Sequence, residues 1–340
     1  MRLLKLDGDG CFSLRWFPKD KVPPYAILSH TWGGEDDEVT FEDLVNGTAE
    51  NKRGFQKLRF CGSQAKDDDL QYFWVDTCCI NKSDTTELTT AINSMFRWYQ
   101  YAARCYVYLS DVSVRSQDGQ FVHVEWESAF CNSRWFTRGW TLQELLAPKV
   151  VDFYSRDRIR LGDKHSLGQQ IVGTTGIAID ALRGRPLSQF SIEERFSWTE
   201  KRQTTMEEDQ AYCLLGIFGV FLPLIYGEGL SNAIRRLRKE IKESMDTESQ
   251  PIGNICQKLY LSLANSSLDE ASFGQSTSMD ADLILEPSRR GSGMPMPGAT
   301  TEDVYVAVMG VNGSGKSSLI NLIAGTDMTA GHSLPSCTLF

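Results

Sequence analysis

Residues 72–109 read YFWVDTCCINKSDTTELTTAINSMFRWYQYAARCYVYL, and this stretch decides the fold. Tyr72-Phe-Trp-Val-Asp76 is a short β-like run that ends on an acid. Leu88, Ile92, Met95, Tyr99 and Ala102 follow at the spacing of one buried helical stripe. Asp84 stands where an N-cap belongs, with Glu87 three residues on in the capping-box position. Arg104-Cys-Tyr-Val-Tyr-Leu109 then returns to strand. Strand, helix, strand in this order predicts a parallel sheet with crossover helices.

Two further runs extend the pattern. Tyr25-Ala-Ile-Leu-Ser29 precedes it and is ended by His-Thr-Trp-Gly-Gly; Val150-Val-Asp-Phe-Tyr154 follows it. Arg134 to Ala147 reads as one helix stopped by Pro148. After Tyr154 the chain turns mainly helical. Glu207 to Phe218 reads as one apolar helix, and Leu230, Ile234, Leu237 and Ile241 stripe another. The basic cluster Arg235, Arg236, Arg238 and Lys239 falls on that helix's wet face.

The chain has 340 residues, which at about 150 per domain predicts roughly two domains. A composition 41% hydrophobic and 23% charged excludes a wholly disordered chain. The net charge of −9 argues against a nucleic-acid partner, because neutralising phosphates calls for a basic surface. The longest apolar stretch, Cys213 to Tyr226, is too short to span a bilayer and carries Pro223. MRLLKLDGDG at the N-terminus lacks the apolar run of a signal peptide. Nine cysteines with no CxxC pair suit a reducing, cytoplasmic setting with unbridged thiols. Three regions emerge: residues 1–245, dense in aromatics and holding all eight tryptophans; a Ser/Gly/Pro-rich flexible linker over 246–302; and residues 303–340, strand-like again at their start.

In an open parallel sheet, ligands bind beyond the carboxyl ends of the strands. Those ends are polar here: Ser29-His30, Asp76-Thr77 and Ser110-Asp111, with Trp32 nearby. A site for a small polar ligand is one reading. The other is structural: His30 satisfying a backbone group, Asp76 and Asp111 capping the turns that follow. Glu144 also has two readings. Thr141-Leu-Gln-Glu144 fits a capping box with no catalysis, and the carboxylate also falls near the same rim.

YAILSHTWG (25–33), FWVDTCCIN (73–81), RGWTLQELLAP (138–148), RFSWTEKRQTTMEEDQAYCLLGIFGV (195–220) and PLIYGEG (223–229) resemble the motifs of the fungal heterokaryon-incompatibility (HET) domain, in the same order. The resemblance implies an effector of programmed cell death and innate immunity, triggered when unlike fungal cells fuse. The pattern is also similar to the TIR domain, which implies a flavodoxin-like parallel sheet with flanking helices, here with a mainly helical C-terminal extension. SRWFTRGWTLQEL resembles the TIR segment whose glutamate cleaves NAD in enzymatic members. Carried over by motif, that glutamate is Glu144 and the tryptophan four before it is Trp140; Thr141 stands where TIR domains often have Cys. Ser29, His30, Trp32, Asp76 and Trp140 are then the candidates to bind NAD. The alternative is a non-enzymatic module that signals by recruiting partners. Self-association and a signalling partner are implied either way.

Val304-Tyr-Val-Ala-Val-Met309 is a short strand, and Gly310-Val-Asn312-Gly313-Ser314-Gly315-Lys316-Ser317 fits GxxxxGK[ST] before a helix opening at Ser318. Such glycines let backbone N–H groups wrap phosphates at a helix N-terminus. Lys316 would reach the β and γ phosphates of GTP or ATP, and Ser317 would ligate Mg²⁺. His332-Ser-Leu-Pro-Ser-Cys-Thr338 resembles the first switch of septin-like and immune-associated GTPases, which implies Thr338 as a second Mg²⁺ ligand. No Walker B acid follows. About 40 residues cannot bury a core of their own. The expectation is the front of a P-loop GTPase-type domain in a truncated chain, without hydrolysis, with GTP binding as the one small-molecule activity under the recruiting alternative.

Overall fold

The structure is a computed structural model that describes residues 1–248 apart from Asp9, Glu35 and residues 115–125. Among the described residues seven strands form one sheet: β1 (Arg2–Leu6), β2 (Phe12–Trp16), β3 (Tyr25–His30), β4 (Tyr72–Trp74), β5 (Arg104–Leu109), β6 (Val151–Ser155) and β7 (Arg160–Asp163), in the order β2-β1-β4-β3-β5-β6-β7. The middle four, β4-β3-β5-β6, are parallel. The expected runs at 25–29, 72–76, 104–109 and 150–154 all became strands, to within two residues at their ends. The antiparallel hairpin β1–β2 and the edge strand β7 extend the sheet beyond that reading. In chain order the parallel strands lie second, first, third, fourth. The winding therefore reverses between β3 and β5, the place where sheets of this order open a ligand crevice.

β3 shows why the centre is parallel. All six of its residues are buried, and a strand covered on both faces needs the continuous apolar run Tyr-Ala-Ile-Leu. Helices α1 (Phe41–Asn46) and α2 (Phe55–Asp67) lead from β3 to β4, α3 (Thr85–Tyr101) from β4 to β5, and α4 (Trp126–Cys131) and α5 (Thr141–Leu146) lie between β5 and β6. On α3 the expected stripe faces inward: Ile92, Met95, Tyr99 and Ala102 are buried, Leu88 is half-buried against the core, and Ala91 joins them. Asp84 caps the helix by accepting from Thr86 N and Glu87 N at 2.9 and 3.0 Å. Glu87 does not complete a box; it accepts from Asn81 N at 3.0 Å and pairs with Arg2.

Beyond β7 the chain is helical: α6 (Gly168–Thr175), α7 (Ile179–Leu182), α8 (Ile192–Ser197), α9 (Asp209–Tyr212), α10 (Leu215–Phe218) and α11 (Leu230–Glu248). Two expectations are corrected. The single helix over 207–218 is split into α9 and α10 at Cys213–Leu214, which lays Gly216 on α3; a Cβ there would come within 2.1 Å of Phe96 Cβ. The single helix over 134–147 is a 3-10 turn, Arg134–Thr137, followed by α5. The break falls where the extension crosses: Gln203 N donates to Thr137 O (2.6 Å) and Gly139 N to Gln203 O (2.9 Å). A side chain at Gly139 would meet Thr204 at 2.5 Å, so only glycine fits the crossing. The PLIYGEG stretch has a comparable logic. Glu208 is buried and accepts from Gly227 N (2.7 Å) and Gly229 N (3.1 Å), whose φ angles of 92° and 79° suit glycine.

The first three residues of the expected linker, 246–248, close α11. The rest of that linker, and the whole glycine-rich loop 310–318 with Thr338, lie outside the described residues.

Candidate functional site

Ser29 and His30 end β3, and adjacent strand residues point to opposite faces. On one face, Ser29 Oγ donates to Glu144 Oε2 and accepts the indole N–H of Trp135 at 2.8 Å. Trp135 is fully buried, so this relay of indole, hydroxyl and carboxyl has no water to compete with it. Tyr99 stands by the same carboxyl and donates its hydroxyl to Leu28 O at 3.1 Å. Glu144 itself is 6% exposed. Burial, with repulsion from Asp76, pushes its carboxyl up to about 8; Ser29, Tyr99 and the Arg202 charge pull the other way.

The capping box does not form. α5 starts at Trp140 with no side-chain cap. Thr141 Oγ1 lies 2.7 Å from Trp135 O and 2.9 Å from Arg138 O, and accepts from Arg202 at 2.7 Å. Its lone pairs are taken by a buried guanidinium, so Glu144 is released from the helix end and turns to Ser29. Arg202, also held by Arg138 O at 2.8 Å, comes from the extension; burial lowers its basicity to about 10.

On the other face, His30 lies 3.4 Å from Glu38 and 3.9 Å from Asp76. Glu38 Oε1 takes Lys57 and Gly33 N, while its Oε2 is near His30 without hydrogen-bond alignment. Burial opposes its ionisation, but His30 and Lys57 outweigh that and hold Glu38 at about 2. Trp32 is 48% exposed and donates its indole N–H to Asp76 Oδ2 at 2.9 Å.

His30, Trp32 and Asp76 are thus linked on one face of the end of β3 and Ser29 and Glu144 on the other, with Asp76 acting on Glu144 through its charge. Trp140 is tied elsewhere: its N–H donates to Asp209 at 3.0 Å, anchoring α5 to α9. Asp111 follows its structural reading, accepting from Ser133 Oγ (2.8 Å) and Arg134 N (2.9 Å). Sequence reasoning missed Trp135, Tyr99, Glu38, Lys57 and Arg202. Only Trp135 carried a local signal, lying in the same quoted segment as Glu144. Among the described residues no cluster of His, Cys, Asp and Glu could hold a metal ion, and no helix is long and apolar enough to cross a membrane.

Residues 25–126 match the family model for heterokaryon incompatibility protein (HET). Over 244 residues, 71% of its length, the chain is 55% identical to vegetative incompatibility protein HET-E-1 of Podospora anserina. It spans 18% of that relative's length. No solved structure matches. Ser29, His30, Trp32 and Asp76 all fall within the stretch that matches that family model.

Proposed function

We propose that this chain carries the effector of an incompatibility-type cell-death response, and that the effector works by cleaving NAD at Glu144. The observation that supports the enzymatic reading is the Glu144 carboxyl itself. It is not folded back on Thr141 but aimed at Ser29, at the carboxyl end of the first parallel strand.

The chemistry follows from the charge. Nicotinamide leaves as a neutral base, taking the electrons of its bond to ribose C1′, and the sugar gains oxocarbenium character. A carboxylate beside the ribose stabilises that charge and takes a proton from the attacking water. ADP-ribose, nicotinamide and one proton result. In the unliganded site Glu144 holds its proton at neutral pH. A cationic ring at the rim offsets Asp76 and favours the ionised form, so the substrate itself readies the carboxylate.

The test is nicotinamide release from NAD by the purified full chain, at high concentration or artificially clustered, with Glu144→Ala beside it and both confirmed folded by circular dichroism. Loss of about 100-fold or more in the variant is the expected result. No release from either protein, while the wild type still kills cells, sinks the enzymatic reading.

One observation favours the recruiting alternative: Met206, Phe221, Ile225 and Tyr226 expose 40–55% of their surface in the extension, as a partner-binding face does. For the segment Gly310–Ser318 the proposal is binding of GTP or ATP with Mg²⁺, which would govern self-assembly of the effector. Loss of nucleotide binding in Lys316→Ala, measured with a fluorescent analogue, is the expected result.

A further inference from the structure

Lys82 is absorbed by nothing described so far. It lies in the loop just before α3, and its ammonium sits 3.7 Å from the ring centroid of Trp32. It makes no ion pair among the described residues, although Asp76 is bonded to that same indole. A lysine ammonium ordinarily chooses water or a carboxylate. Resting on an aromatic face identifies that face as the local cation receptor. Two features sharpen it. The indole N–H bond to Asp76 fixes the orientation of the ring, and the carboxylate at its edge enriches the electron density on its face. The ring stays half-exposed, so one flat surface remains open to a ligand once the lysine moves.

We propose that the face of Trp32 is a receptor for a flat aromatic cation of the pyridinium class, and that Lys82 is a built-in occupant which this ring displaces. The inference rests on the reading of the site as an NAD-cleaving one and adds its ligand rule: the oxidised, positively charged nicotinamide ring is accepted, and the neutral ring is refused. Lys82 is on a flexible four-carbon stem, so displacement costs little and no backbone need move. With whole NAD the displaced ammonium meets the diphosphate, which masks the competition. A probe without phosphate isolates it.

That probe is 1-methylnicotinamide, a pyridinium cation with no ribose, titrated into the full chain by ligand-observed NMR with neutral nicotinamide as control. The cation is expected to bind at least 5-fold tighter than the neutral amide. Lys82→Met frees the face and tightens the cation by about 3- to 10-fold, within the general range of cation–π contacts. Trp32→Ala abolishes binding. Trp32→Phe, which keeps a ring but loses the tether to Asp76, retains part of it and guards against a folding defect in the alanine variant. The inference is overturned if Lys82→Met leaves cation affinity unchanged or weaker, if the neutral amide binds as well, or if neither Trp32 variant loses affinity. Because the probe has no bond to cleave, its binding stands apart from catalysis. Cation binding without NAD cleavage would remove the enzymatic reading and leave the receptor. Cleavage with no response to Lys82 would remove the receptor alone.

Discussion

Glu38 and Glu144 are two glutamates with nearly the same exposure, 7% and 6%, reached from adjacent residues of one strand. They titrate in opposite directions. Glu38 is held at about 2 and Glu144 is pushed up to about 8. Burial raises both. What separates them is the company: Glu38 meets the Lys57 ammonium, His30 and the Gly33 N–H, while the direct contacts of Glu144 are hydroxyls and its nearest named charge of like sign is Asp76. A buried carboxyl answered by a cation is a structural brace. One met directly by hydroxyls, with Arg202 acting on it only through its charge, is held in a protonation state that a ligand's charge can change. Glu38 therefore braces the loop that carries Trp32, while Glu144 is the carboxyl that the proposed chemistry would use.

The largest effect should come from breaking the answered pair. Lys57→Met removes the ammonium from Glu38 and the donor from Thr31 O, which it reaches at 3.1 Å. A buried charge left without its partner costs about 3–5 kcal/mol, readable as a lower urea midpoint at pH 7. An unchanged midpoint would mean that Glu38 is solvated and that the contrast with Glu144 is false.

The pH dependence of stability should then mirror itself between the two. Glu38 binds its proton less tightly folded than unfolded. Its contribution is present above the ordinary value of 4.5 and is lost as pH falls through about 2. Glu38→Gln should be less stable than wild type at pH 7 and converge with it in acid. Glu144 binds its proton more tightly folded. Its contribution is complete below 4.5 and is lost as pH rises through about 8. Glu144→Gln, which cannot ionise, should match wild type near pH 5 and exceed it by about 2–4 kcal/mol at pH 9. Thermal unfolding of wild type and both variants across that range checks the pair.

Much of this was legible in the sequence, and the reasons are local. The parallel strands showed because fully buried strands are apolar without interruption, as Tyr25–Leu28 is. The rim showed because each run ended on polar residues, Ser29-His30 and Asp76. The answered and unanswered states were not legible. Glu38 lies in a loop without periodicity, and Lys57 follows it by 19 residues on a helix whose polar face hides the one lysine that turns inward. The capping box at Thr141 failed for a long-range reason: the hydroxyl is claimed by Arg202, 61 residues away. A local motif holds only when nothing distant outbids it, and the break at Gly139 has the same cause.

The smallest and sharpest test lies in the relay behind Glu144. Trp135→Phe keeps a buried ring but removes the N–H that Ser29 accepts at 2.8 Å. One neutral hydrogen bond is worth about 1 kcal/mol, so the stability loss is modest. The informative change is in protonation. With the indole gone, Ser29 Oγ is a weaker donor to the carboxylate, and Glu144 loses part of what holds it down against burial. Its ionisation should move further to the alkaline side. The gain of Glu144→Gln over its parent starts near the unfolded value of 4.5 in either background, but the pH at which it levels off, about 8, should move up when both carry Trp135→Phe. If the plateau stays where it was, burial alone sets Glu144, and Trp135 belongs to the core rather than to the site.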